Sequence, residues 1–129
     1  MARKLILLMV LISTSLAFSM TLKGSGKIIE LEKKKAGYYL SKNCRNCLAL
    51  TTIKSLNQAK ITSLLKTQKD HRLAPGTRLC SALGAMVWVL EDEKKVERSI
   101  CQFKDNSVVL TDDLANLIQT RIIGIRPKK

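Results

Sequence analysis

The chain has 129 residues, with 23 Lys plus Arg against 10 Asp plus Glu and a formal charge of +13 at pH 7. This length bounds it to one domain with a modest core. The cation excess favours anionic partners, yet past position 20 only Tyr38, Tyr39, Trp88 and Phe103 are aromatic, too few for a base-stacking platform, so nucleic acid is the weakest of those partners.

Two early cations, Arg3 and Lys4, precede an apolar run over 5–18 that closes on the small residues Ser15, Ala17 and Ser19. That order is the order of a secretory signal. The run is about 14 residues long against the roughly 20 needed to cross a bilayer, so 1–19 reads as a cleavable signal peptide, cut after Ala17 or Ser19. No second apolar run follows, and no transmembrane segment is expected after cleavage. Residues 20–129 read as a single small domain.

Residues 27–32 have strand composition, and 37–40 follow after Lys33, Lys34 and Lys35, which predicts a short hairpin. Residues 41–47 are polar and turn-like. From 55 to 69, Leu56, Ile61, Leu64 and Leu65 recur at the spacing of one helix face, with Lys60, Lys66 and Lys69 on the other. Asp70, His71, Pro75 and Gly76 then mark a connection that divides a hairpin and helical half, 20–73, from a second half, 74–129.

The second half opens with a short helix over 77–83 closed by Gly84. Residues 86–90 are apolar at every position, as in a strand covered on both faces, which places Trp88 in the core. After a charged turn over 91–95, a strand over 96–103 alternates, Val96 and Ile100 on one face and Cys101 and Phe103 on the other. A turn at 104–106 leads to a third strand, 107–110. Thr111 is expected to cap a helix with Asp112 and Asp113 in its first turn and an apolar stripe of Leu114, Leu117 and Ile118. Residues 122–125 have edge-strand composition. No internal repeat is visible.

In an exported chain, four cysteines, Cys44, Cys47, Cys80 and Cys101, read by default as disulfides. Cys44-Arg45-Asn46-Cys47 is open to three readings: a structural bond, a redox pair or half a metal site. Arg45 and a helix starting near Leu48 suit a redox pair, but the short run before Cys44 leaves little room for a thioredoxin-like architecture. Zinc needs four ligands, and Cys80 and Cys101 lack the close spacing of a second knuckle, so no metal is expected. Haem attachment needs His after Cys47, where Leu48 stands. His71 beside Asp70 lacks a nucleophile placed by the fold and is explained by its helix-terminal position. The remaining carboxylates fall in turns and caps, so no catalytic residue and no cofactor is assigned. Lys33, Lys34 and Lys35 form the densest basic run and are the candidates for an anionic surface.

Ala74-Pro75, Cys80, Gly84, the apolar strand and Ile100-Cys101-Gln102-Phe103-Lys104-Asp105-Asn106-Ser107 resemble a bacterial family of small exported, cysteine-containing domains of unknown function that carries a hemolysin label. The resemblance covers about residues 74–117. Ala74, Leu83, Lys104 and Asn106 depart from the family pattern, and Val109 and Asp112 stand where the family has a further cysteine and a tryptophan. Family pattern and strand alternation together imply that Cys80, on a helix, and Cys101, on a strand, meet in a disulfide.

The fold class expected is α+β, a small antiparallel β-meander packed with helices and stapled by disulfides. The function expected is an exported basic binding or structural protein of the bacterial envelope or periplasm, facing anionic envelope material or an acidic protein. A thiol-disulfide oxidoreductase using Cys44 and Cys47 and a secreted toxin or lytic factor are the alternatives.

Overall fold

The computed structural model describes residues 19–123. The signal read over 1–19 lies, apart from Ser19, outside the described residues, as do residues 124–129. Six strands and four helices form: β1 Ser19–Gly24, β2 Lys27–Lys33, β3 Tyr39–Ser41, α1 Leu48–Ser55, α2 Gln58–Thr67, α3 Pro75–Ala82, β4 Met86–Glu91, β5 Glu97–Gln102, β6 Val108–Leu110 and α4 Thr111–Ile118. A π-helical turn, Gln119–Ile123, continues α4. The edge strand expected over 122–125 is therefore helical as far as Ile123.

The strands close into an antiparallel barrel in the order β1-β2-β3-β6-β5-β4. This corrects the expected meander packed with helices. Two facts hidden from local pattern cause the change. The first is β1, a strand that the sequence reading did not place, paired with β2 along its whole length from Ser19↔Glu32 to Gly24↔Lys27. The second is a pair of narrow seams, Lys23↔Glu91 between β1 and β4 and Leu40↔Val109 between β3 and β6. At the second seam Ser41 Oγ donates to the Val108 carbonyl at 3.4 Å and accepts the Val108 N–H, standing in for missing ladder bonds.

Alternation along each strand builds two cores. Leu22, Leu31, Leu90, Ile100, Val108 and Leu110 fill the barrel, while Leu40, Cys101 and Val109 point outward against Ala49, Ile53, Leu56, Ile61, Leu79 and Leu114 of the helical layer. The strand covered on both faces is thus β6, all three of whose residues are buried. The expectation for β4 is corrected: Met86 and Val89 are 59% and 57% exposed. Trp88 is half-buried, and the Lys27 ammonium lies 4.1 Å from its ring centroid.

The two halves of the barrel are related by a two-fold pseudo-symmetry that residue identity conceals. In each half a three-stranded meander leads into a helix, and the register matches position by position. Leu31↔Ser41 and Glu32↔Leu40 in one half correspond to Ile100↔Leu110 and Cys101↔Val109 in the other. Leu22 and Leu90 are equivalent in the same way, as are Leu31 and Ile100. The connecting turns also match: Gly37 N–H donates to Lys34 O as Asn106 N–H donates to Phe103 O, with positive φ at both Gly37 and Asn106. Lys23↔Glu91 and Leu40↔Val109 each map onto themselves, so both seams lie on the pseudo-dyad.

Between the halves, the helix expected over 55–69 begins at Gln58. Leu56 breaks from the preceding α1, and the Asn57 side chain caps α2 by accepting the Lys60 N–H at 2.8 Å. Two arginines satisfy orphan carbonyls at helix ends. Arg78 donates to Leu65 O and Gln68 O at the end of α2, and Arg121 donates to Ile53 O at 2.9 Å and to Leu56 O at the end of α1. Thr111 is not a cap but the first residue of α4, its hydroxyl donating to Ser99 O at 3.2 Å.

Candidate functional site

All four cysteines are spent in two disulfides, Cys44–Cys47 and Cys80–Cys101. Cys80 on α3 and Cys101 on β5 are fully buried in the layer between barrel and helices. Their bond ties the helical layer to the barrel wall. Cys44 is also buried, whereas Cys47 is half-exposed. Asn43, with φ of 66°, turns the chain after β3, and Cys47 then occupies the N-cap position of α1.

Cys47 provides no side-chain cap to α1. The cap comes instead from the β5–β6 turn, where Asp105 Oδ2 accepts the Leu48 N–H at 2.8 Å and Ser107 Oγ accepts the Ala49 N–H at 3.0 Å. Ser107 also donates to the other Asp105 oxygen. Desolvation pulls the Asp105 carboxyl upward, but the hydrogen bonds from Leu48 and Ser107 outweigh it and leave its pKa below the ordinary value. A carboxylate therefore stands at the positive end of α1, in the place where a thiolate would gain most from the helix dipole. In the sequence Asp105 reads only as a turn residue and Ser107 only as the first residue of the third strand. Their partners are far along the chain, and no local signal marks them.

A second unforeseen group is Asp113. Its Oδ2 accepts the Tyr39 N–H at 2.8 Å, tying α4 to β3, beside a cavity of about 230 Å³ lined by Gly37, Tyr38, Asn116 and Leu117. Burial raises its pKa to about 6 from 3.8, against the Tyr39 hydrogen bond, with Asp112 adding to the rise and Lys33 opposing it. Because the folded value exceeds the unfolded one, the stability that Asp113 contributes is full below about pH 4 and lost as pH rises through about 6. Asp113→Asn keeps the acceptor for Tyr39 and removes the buried charge. Screened by the group's remaining exposure, the gain at pH 7.5 is expected to be on the order of 1 kcal/mol, a rise of ~5 °C in melting temperature. Thermal melts at pH 4 and 7.5 check it: the variant should exceed wild type at pH 7.5 only.

Of the triple lysine, Lys34 pairs with Glu32 at 3.5 Å, and Lys33 and Lys35 are exposed at the β2–β3 turn. His71 is exposed, and its neighbour Asp70 is engaged by Arg72 at 3.0 Å. An open cleft of about 640 Å³ lies beside the end of β3, lined by Lys27, Ile28, Ser41, Lys42, Gln102 and Asn106. Among the described residues no helix is long and apolar enough to cross a membrane. Comparison with protein-family models, with curated proteins and with solved structures found no match to the chain.

Proposed function

We propose that the chain is an exported, non-catalytic binding module of the envelope or periplasm whose α1–α2 face engages an anionic surface. The observation that carries the reading is the distribution of charge. Between Glu32 and Asp70 there are nine lysines and arginines and no carboxylate. This stretch forms the β2–β3 turn, α1 and α2. None of the ion pairs among the described residues involves the lysines of α1 or α2. Carboxylates of the barrel are in several cases already engaged, Glu30 by Lys42 and Asp92 by Arg98. Exposed Lys54, Lys60 and Lys66 thus present an uncompensated positive field, which attracts anionic polymers or headgroups and is screened by salt. The leader, the two disulfides and the resemblance over 74–117 support the exported compartment.

Sedimentation with vesicles containing phosphatidylglycerol tests the reading. Retention is expected at low salt, falling as salt rises. Exchanging Lys54, Lys60 and Lys66 for Gln is expected to weaken it about 100-fold, since each lysine near an anionic surface contributes ~1 kcal/mol. Retention indifferent to salt and to the triple exchange overturns the proposal.

A further inference from the structure

We infer that Cys44–Cys47 is an exchange-competent disulfide that accepts electrons from a dithiol through Cys47 while the domain stays folded, and that the Asp105 carboxylate holds its reactivity down. The inference concerns a different site from the cationic face and does not rest on it.

Three observations carry it. First, the two bonds differ in access: Cys80 and Cys101 are both fully buried, whereas Cys47 is only partly buried and Arg45 beside it is exposed. Second, α1 does not depend on its neighbouring disulfide. Its N-terminal amides are held by Asp105 and Ser107 and its C-terminal carbonyls by Arg121. None of those bonds is made by a cysteine side chain. Third, the bond closes a loop of separation three, against 21 for Cys80–Cys101, so opening it frees little chain.

The chemistry balances with a dithiol as reductant. One thiolate of the dithiol attacks Cys47 Sγ, a mixed disulfide forms, and the Cys44–Cys47 bond breaks with its electron pair on Cys44, which takes up a proton. The second thiol, deprotonated, then displaces Cys47, which is protonated in turn. The dithiol ends as a disulfide, the pair ends as two thiols, and two electrons and two protons have moved. Asp105 enters by charge alone. It lies one residue from Cys47 on the Leu48 N–H, where it repels an incoming thiolate and offsets the dipole that would stabilise a departing one.

Native full-length protein treated with graded dithiothreitol at pH 7, trapped with iodoacetamide and mapped by mass spectrometry, tests this. Cys44 and Cys47 are expected to be alkylated while Cys80–Cys101 remains intact, with circular dichroism still showing a cooperative melt. Asp105→Asn, which removes the charge and keeps one oxygen to accept the Leu48 N–H while giving up the bond from the Ser107 N–H, is expected to react several-fold faster. Simultaneous loss of both bonds, or resistance of Cys44–Cys47 until denaturant is added, overturns the inference. An unchanged rate in Asp105→Asn overturns the role given to that carboxylate.

Discussion

Gly76→Ala is expected to lower the melting temperature by about 15 °C or more, the largest effect of an alanine at any of the described glycines. Gly76 is buried in the first turn of α3, where the helix crosses the start of α4. A Cβ there would meet the Thr111 carbonyl oxygen at 2.0 Å and its carbon at 2.8 Å. Both are backbone atoms, so no rotamer change relieves the contact and the two helices must separate. Thr111 also joins β6 to α4 without a linker, so displacement would propagate to the β3–β6 seam. The cost is expected to be about 4 kcal/mol, at the extreme of single substitutions. Gly26→Ala supplies the comparison. Nothing lies within 4 Å of the added methyl, and only its φ of +75° opposes the change, worth about 1 kcal/mol. Melting curves of the two variants that shift equally would refute the steric account.

Replacing Cys80 and Cys101 together by Ala is expected to remove about 3 kcal/mol of stability through the freedom regained by the unfolded chain, or ~15 °C in melting temperature. Two small cavities between barrel and helices add to the loss. The same replacement at Cys44 and Cys47 is expected to cost about 2 kcal/mol at most, because its loop is so short. Denaturant titrations of the two double variants decide the matter: equal midpoint shifts would mean that burial and loop length do not separate the bonds.

Much of the local structure is legible because it has local causes. The alternation around Ile100 and Cys101, the turn chemistry at 104–106 and the acidic first turn of α4 each depend on neighbours a few residues away. The Cys80–Cys101 pairing was anticipated from a strand, a helix and a resemblance together. Barrel closure was not, because it rests on Leu40 meeting Val109 and Lys23 meeting Glu91, residue types that carry no mark of their partners. β1 carries no strong signal because its alternation is short, with only Met20 and Leu22 apolar and Leu22 alone buried, and because it directly abuts the expected leader. Apolar composition misled at 86–90, where Met86 and Val89 face solvent, and a three-residue strand too short to stand out, β6, proved to be the doubly buried one. At the site, Cys44 and Cys47 announced themselves by spacing. Asp105 and Asp113 did not, since an aspartate in a turn or a first helical turn already has a sufficient local explanation.

The self-equivalence of the two seams bears on association. Because the chains are identical, the second meander of one chain can fit the first meander of another as it fits its own, across the same Lys23↔Glu91 and Leu40↔Val109 seams. Two chains that traded these halves would rebuild two complete barrels with no new interface chemistry, which is the condition for domain exchange. Pairing within one chain gains from the effective concentration imposed by the α1–α3 connection, which Cys80–Cys101 ties to the barrel. If halves are exchanged, reducing that bond is expected to favour the exchange, and size-exclusion chromatography of oxidised and reduced protein checks it.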